Sequence, residues 1–233
     1  SGLDKGEHIV DLLNMVKPDV FAVGNHEFDF GPDVLIERIA DMDFPVLSAN
    51  IMDAEGNNLP GVVSNTIIDL GEFQMGVFGL TSPETATKSS AGRYGFGGAV
   101  ETAKAQAAEL KEAGADLIVA VAHTHFADDM ALVRSGAIDV LVSGDDHNQI
   151  TYFDGDVAYM ESGEQAEVVT ALTIEMKLDD RERFRWSPSF EILNPADYAP
   201  SAAMEVAVAD LDSKLDAELS TVIGTTAVEM NTT

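Results

Sequence analysis

Behind the apolar run Val20-Phe21-Ala22-Val23 the chain breaks at Gly24 and then presents Asn25, His26, Glu27 and Asp29. An amide oxygen, an imidazole and two carboxylates are donors suited to hard or borderline divalent cations. Two further apolar runs end in the same way. Leu117–Ala122 leads into His123-Thr124-His125, and Val140–Val142 leads into Gly144-Asp145-Asp146-His147. Four of the five histidines fall in these three loops, while His8 sits on the polar face of a helix and reads as a surface residue. Each loop alone is an ordinary turn. In open α/β sheets, however, ligands bind beyond the carboxyl ends of the strands. Three adjacent strands of this kind would gather Asn25, His26, His123, Asp145 and His147 around Mn²⁺, Mg²⁺, Zn²⁺ or Fe²⁺.

The elements that must position these loops follow from hydrophobic period. Helices are expected over residues 7–16, 32–42, 99–113, 127–135 and 202–217. Pro18 ends the first, Pro32 opens the second and Gly114 stops the third. Strands are expected at 19–23, buried on both faces, and at 45–50, 62–69, 73–80, 116–122 and 138–142. The stretch 82–98 reads as a polar, Gly-rich connection. Its Gly95-Phe96-Gly97-Gly98 is a flexible loop and not a phosphate cradle, because no Walker-type Lys-Ser/Thr follows. From Ile150 onward, strands near 150–153, 156–160, 167–177 and 185–192 follow without intervening helices, as an antiparallel meander. A βαβ-like first half therefore precedes a β meander, with the helix at 202–217 after it.

Composition narrows the function. The 233 residues carry 41 Asp plus Glu against 13 Lys plus Arg, a formal net charge of −28, which repels duplex nucleic acid and anionic lipid. It would also repel a phosphate ester unless bound cations reverse the local sign. No 18-residue apolar run exists, so no membrane span is expected. There is no cysteine, which excludes thiolate metal sites, and no signal peptide is visible at Ser1-Gly2-Leu3.

The stretches GNHEFDFG (24–31), PVLSANI (45–51), VAVAH (119–123) and SGDDH (143–147) resemble the metallophosphoesterases of the 5′-nucleotidase and UDP-sugar hydrolase group. Glu161-Ser162-Gly163 and the tail VIGTTAVEM (222–230) extend the resemblance over nearly the whole chain. It implies an α/β fold, the calcineurin-like α/β/β/α sandwich with mixed sheets. It further implies that Asn25, His123, Asp145 and His147 ligate a pair of divalent cations. His26, paired with Asp29, would act on the substrate phosphate, although Asp29 also reads as a cap for the helix near 32. His125 competes with His123 as ligand; the family's distance from the strand start selects His123. Where the family has Gly-His-x-His, this chain has Gly144-Asp145-Asp146-His147. A carboxylate in place of imidazole favours Mn²⁺ or Mg²⁺ there over Zn²⁺.

The family's leading Asp-x-His and Gly-Asp motifs, which supply three ligands including a bridging Asp, are not in this sequence. The expectation is therefore a domain lacking its first two strands. Residues 1–220 would be a partial metal-binding phosphoesterase domain, and 221–233 the start of a linker to an absent C-terminal substrate domain. Such a piece is expected to be inactive and poorly stable by itself, with edges and core exposed. For the intact parent the resemblance implies hydrolysis of a small nucleotide or nucleotide-sugar ester in the periplasm or outside the cell. The alternatives are a hydrolase of cyclic nucleotides or of a sulfur-bound substrate, and a non-catalytic remnant that binds metal or a partner.

Overall fold

The computed structural model describes residues 4–221 and Gly224, in two compact units divided between Tyr198 and Ala199. The tail motif at 222–230, most of the expected linker and Ser1-Gly2-Leu3 lie outside the described residues. In the first unit the order is α1 (Glu7–Val16), β1 (Phe21–Ala22), a 3-10 turn at His26–Phe28, α2 (Pro32–Ala40), β2 (Val46–Leu47), β3 (Ile51–Met52), β4 (Val62–Val63) and β5 (Asn65–Asp69). There follow β6 (Gln74–Thr81), α3 (Thr85–Lys88), β7 (Gly95–Phe96), α4 (Ala99–Glu112), β8 (Leu117–His123), α5 (Phe126–Arg134) and β9 (Val140–Ser143). The unit closes with β10 (Gln149–Phe153), β11 (Ala158–Ser162), β12 (Val169–Leu178) and β13 (Phe184–Leu193). The second unit holds α6 (Ala202–Leu219), none of whose residues is buried.

The main sheet has six strands in the order β10-β11-β9-β8-β6-β5. Its four central strands run parallel, with antiparallel edges at β5 and β10. Leu117–Ala120 of β8 are almost wholly buried, as a central parallel strand requires. One face is covered by α4 and α5. Ala99, Ala103, Ala107 and Leu110 recur at helical spacing, and their small side chains let α4 lie close on Phe78, Leu80 and Ile118. The other face carries Val77, Val119, Val140 and Ala158, covered by Leu172, Ile174, Phe184 and Trp186 of the β12–β13 hairpin. The fold is thus a mixed α/β sandwich with a helical layer, a mixed sheet and a second β layer.

Three expectations are corrected. β1 is half-buried, where burial on both faces was expected, and it belongs to a separate three-stranded parallel sheet, β1-β2-β4. It is therefore not hydrogen-bonded to β8 or β9. The strand expected at 62–69 splits between the two sheets as β4 and β5. The late strands are not a plain meander either, because β11 lies between β10 and β9, antiparallel to the first and parallel to the second. The connection 82–98 is also less loose than its composition suggests: β7 pairs antiparallel with β3.

What joins the two sheets is a buried polar clamp. Asn50, wholly buried, donates from Nδ2 to the carbonyls of Thr81 (2.7 Å) and Gly97 (2.9 Å), and its Oδ1 accepts from Thr81 N (2.9 Å). Ser48 Oγ lies 2.9 Å from Thr81 Oγ1, which donates to the carbonyl of Val23 at 2.7 Å. A buried polar group is tolerated when its partners are present; here the partners come from different strands. β2 also presses on β6 so closely that a Cβ at Gly79 would stand 2.3 Å from the Leu47 carbonyl oxygen.

Candidate metal and phosphoester site

The clamp delivers Val23 beside the end of β6, and Asn25 follows two residues later. β6 pairs with β8 in a register that sets Thr81 opposite His123. Asn25 and His123 therefore meet although they lie on different sheets: His123 Nε2 is 2.7 Å from Asn25 Oδ1. On its other side, Asp145 Oδ1 stands 3.1 Å from the same nitrogen. Gly24 makes room for this approach. Its backbone φ is not positive, so it is not needed for a left-handed turn; a Cβ there would lie 3.1 Å from the His123 ring and 2.8 Å from Glu27 Oε2. Glu27 Oε2 accepts from Gly24 N at 2.7 Å and fixes the loop.

Three lone-pair atoms thus face one another across a space that one ring proton must serve. Asp145 Oδ2 is buried and takes no well-aligned hydrogen bond, although His125 Nδ1 lies 3.0 Å away. Nitrogen and oxygen donors converging with an under-satisfied buried carboxylate oxygen fit a divalent cation. Asp145 also sits at φ +101°, outside the usual range for a side-chain-bearing residue.

His26 follows Asn25 in the 3-10 turn, with an exposed side chain. Its Nδ1 is 2.9 Å from Asp29 Oδ2, and this hydrogen bond raises the pKa of His26 above its ordinary value. Asp29 meets no backbone N–H of α2; Gly31 stands at that helix's N-cap. The structure therefore sets Asp29 against the ring, and the capping alternative has no contact behind it.

His147 has Glu164 as its ion-pair partner. Its backbone is left-handed at φ +58°, and its exposed ring makes an ion-pair contact with Glu164 Oε2 at 3.1 Å. His125 approaches Asp145 as well, its Nδ1 lying 3.0 Å from Oδ2. Its Nδ1 lies 2.9 Å from Asp146 Oδ1, and its Nε2 is 2.9 Å from Glu84 Oε2 and 2.7 Å from Lys88 Nζ. The hydrogen bond with Asp146 raises the pKa of His125; on Asp146, burial opposes the pairing and the pairing wins, lowering its pKa. His125, Asp145 and Asp146 offer ligand atoms that all lie within 4.8 Å of one another.

Strand alternation explains why both histidines enter the cleft. In the sequence His123-Thr124-His125 the middle residue turns inward, where Thr124 is wholly buried and donates to Asp129 Oδ1. Tyr159 of β11 donates to Asp129 Oδ2 at 2.9 Å. Burial raises the pKa of Asp129, and that of Glu161 next to it. Period-two alternation was the available signal for His125. Asp146, Glu84 and Lys88 carried none, because their relevance arises from contacts between distant loops. Arg93, on the Gly-rich connection, packs on its neighbour Tyr94 with 5.2 Å to the ring centre.

No family model matches the chain. Over 146 residues it is 34% identical to a snake venom 5′-nucleotidase of Crotalus adamanteus, a match spanning 60% of this chain and 25% of the relative. A 5′-nucleotidase precursor from Thermus thermophilus shares the fold with a TM-score of 0.81 at 23% identity, over 95% of this chain and 48% of that one. A sulfate thiohydrolase from the same species matches at 0.77 and 21% identity, over 94% of this chain and 40% of that one. The chain spans about a quarter of the curated relative and less than half of either solved structure.

Proposed function

We propose that this chain, a homologue of the 5′-nucleotidases with the calcineurin-like phosphoesterase fold, carries the cation-binding part of a hydrolase of nucleotide phosphate esters. The observation that carries the reading is the meeting of Asn25 Oδ1, His123 Nε2 and Asp145 Oδ1, each within 3.1 Å of the next, with His26 directly adjoining. Asn25, His123 and Asp145 hold the cation in this reading, and Asp145 favours Mn²⁺ or Mg²⁺ over Zn²⁺. A divalent cation there supplies Lewis-acid polarisation of a phosphoryl oxygen and positive charge against a net −28 background.

The chain's own residues do the rest. Asp29 fixes the His26 ring through Nδ1 and leaves Nε2 as the ring nitrogen for substrate. Because Asp29 favours the protonated ring, His26 serves as a donor to a phosphoryl or leaving-group oxygen. His147 lies with Glu164 and has no ligand role in this arrangement. The substrate class is a small nucleotide or nucleotide sugar. A sulfur-bound ester is the second reading, favoured by the fold match to the sulfate thiohydrolase. No described helix is long and apolar enough to cross a membrane, and a place outside the cytosol rests on the venom relative.

The test has two arms. Mn²⁺ binding at the Asn25–His123–Asp145 position, read by equilibrium dialysis of this chain, is lost in His123→Ala; an unchanged number of bound ions overturns the reading. Chelator-sensitive turnover by the intact parent of nucleoside 5′-monophosphates, nucleotide sugars, 2′,3′-cyclic nucleotides and thiosulfate esters then ranks the substrates. In that parent, His26→Ala is expected to lose orders of magnitude in turnover while keeping Mn²⁺, and near-normal turnover contradicts its role.

A further inference from the structure

Tyr159 and Glu161 lie two residues apart on β11, so both side chains enter the face of the sheet that α4 and α5 cover. There they meet Asp129 of α5. All three residues are buried, and their two acids share one phenolic hydrogen. Tyr159 Oη stands 2.9 Å from Asp129 Oδ2 and 3.4 Å from Glu161 Oε2, and a hydroxyl has one hydrogen to donate. Asp129 has the nearer claim, and its other oxygen accepts from Thr124, so it is satisfied as a carboxylate. Glu161 Oε1 accepts from the N–H of Asn148 at 3.2 Å. Its Oε2 then faces a lone pair of Tyr159 unless it carries a hydrogen of its own. We infer that Glu161 is a protonated acid at neutral pH and heads a buried hydrogen-bond chain, Glu161 to Tyr159 to Asp129, that positions the loops bearing His123 and Asp145.

The two ends of this chain of bonds reach both loops. Thr124 stands between His123 and His125, and Asn148 closes the loop that carries Asp145. The N–H of Gly163, just beyond Glu161, also bonds the Asn148 carbonyl at 2.8 Å. β11 therefore holds one loop through Asn148 and the other through Tyr159, Asp129 and Thr124. The surroundings of Glu161 oppose a charge on it. In the sheet it is flanked by Ser143 of β9 and Ile150 of β10, neither of them ionisable. β12 meets the end of β11 through Thr170 N and Ser162 Oγ, at 3.3 Å. α5 brings Asp129 and the loop after β9 brings Asp146, both acidic. Burial raises the pKa of Glu161; the bond from Asn148 opposes the rise, and the charges of Asp129 and Asp146 add to it. Burial raises the pKa of Tyr159 as well, so the phenol keeps its hydrogen. Loss of the Glu161 proton would leave two buried carboxylates against a single hydroxyl hydrogen. Stability supplied by the protonated acid is full below the ordinary ~4.3 and is lost as pH rises through the higher folded midpoint.

The proton itself depends on no bound cation, whereas its influence on the loops is read through the proposed Mn²⁺ site. Carbon-13 NMR of the 233-residue chain, labelled at the side-chain carboxyls of Glu and Asp, tests the proton. One glutamate carboxyl should remain protonated at neutral pH and titrate above the others, and its signal should vanish in Glu161→Gln. Finding every glutamate ionised at neutral pH overturns the inference, as does finding the proton on an aspartate in place of Glu161. Glutamine keeps an N–H for Tyr159 and an oxygen for Asn148, so it mimics the acid form. Glu161→Gln should therefore bind Mn²⁺ at neutral pH within about 2-fold of the parent chain, whereas Glu161→Ala and Tyr159→Phe should bind about 10-fold more weakly. Raising the pH through the Glu161 midpoint should weaken Mn²⁺ binding by the parent relative to Glu161→Gln, a response that lost packing would not give. Identical pH profiles for the two overturn the positioning role. Melting temperatures should diverge in the same sense, Glu161→Gln gaining on the parent between about pH 5 and about pH 8. Absence of Mn²⁺ binding by the parent overturns the cation site alone, and the carbon titration still decides the proton.

Discussion

Replacing Asn50 by alanine tests whether the polar clamp is what holds the two sheets together. The side chain takes part in four hydrogen bonds, to Thr81 O, Gly97 O, Thr81 N and Ser48 Oγ, and is wholly buried. Each such bond contributes about 1 kcal/mol net, and a buried group left unpaired costs about 1–3 kcal/mol. Water entering the space left by the amide recovers part of this, so a loss of about 3 kcal/mol is expected. For a domain of this size, 1 kcal/mol corresponds to about 2–4 °C, so the melting temperature should fall by roughly 6–12 °C. Asn50→Asp keeps the shape, loses both donors and sets a carboxylate against two carbonyls, so it should be at least as damaging. Urea unfolding and calorimetry with Mn²⁺ read the two consequences together: lower stability, and weaker cation binding because Val23 no longer delivers Asn25. A variant that melts within about 1 °C of the parent, with an unchanged Mn²⁺ affinity, would refute the clamp as the link between sheet and site.

Three further outcomes are expected. Gly79→Ala sets a Cβ 2.3 Å from a backbone oxygen that cannot rotate away, and should cost at least the ~1–3 kcal/mol of ordinary overpacking, as read by urea unfolding. Asp29→Asn removes the partner that raises the pKa of His26, so the ring's midpoint should fall toward about 6.5 in an NMR titration; in the parent, the pairing stabilises the fold below that ordinary value and is lost as pH rises through the higher folded midpoint. Asp179, bonded by Arg183 and by backbone N–H groups of the β12–β13 turn, has its pKa lowered to about 2; its contribution is present above the ordinary ~3.9 and should vanish as pH falls toward 2, with Asp179→Asn flattening the acid limb of the hairpin's amide-shift titration.

The local elements were legible because local patterns make them. The helical phase of Val100, Ala103, Ala107 and Leu110 marked α4, and apolar runs marked β6, β8 and β9. Sheet membership was not legible for β1 and β4, which are two residues long and owe their place to the Ser48–Asn50–Thr81 contacts. Nor was the insertion of β11 beside β9, since alternation gives a strand its faces and not its neighbours. At the site, the sequence pointed to Asn25, His123 and Asp145, and the structure places them together by a route the sequence did not contain. His147 looked equivalent to them in its motif. The left-handed backbone at 147 turns its ring toward Glu164, and only a fold can specify that.

The backbone at Asp145 has a cost of its own. At φ +101° a residue with a β-carbon stores about 1–3 kcal/mol that glycine would not. Screening for heat resistance alone should therefore enrich Asp145→Gly: a hardier molecule, deaf to manganese. Preference for the acid under selection for turnover, and for glycine under selection for endurance, would make this single position a meter of what the chain is kept for.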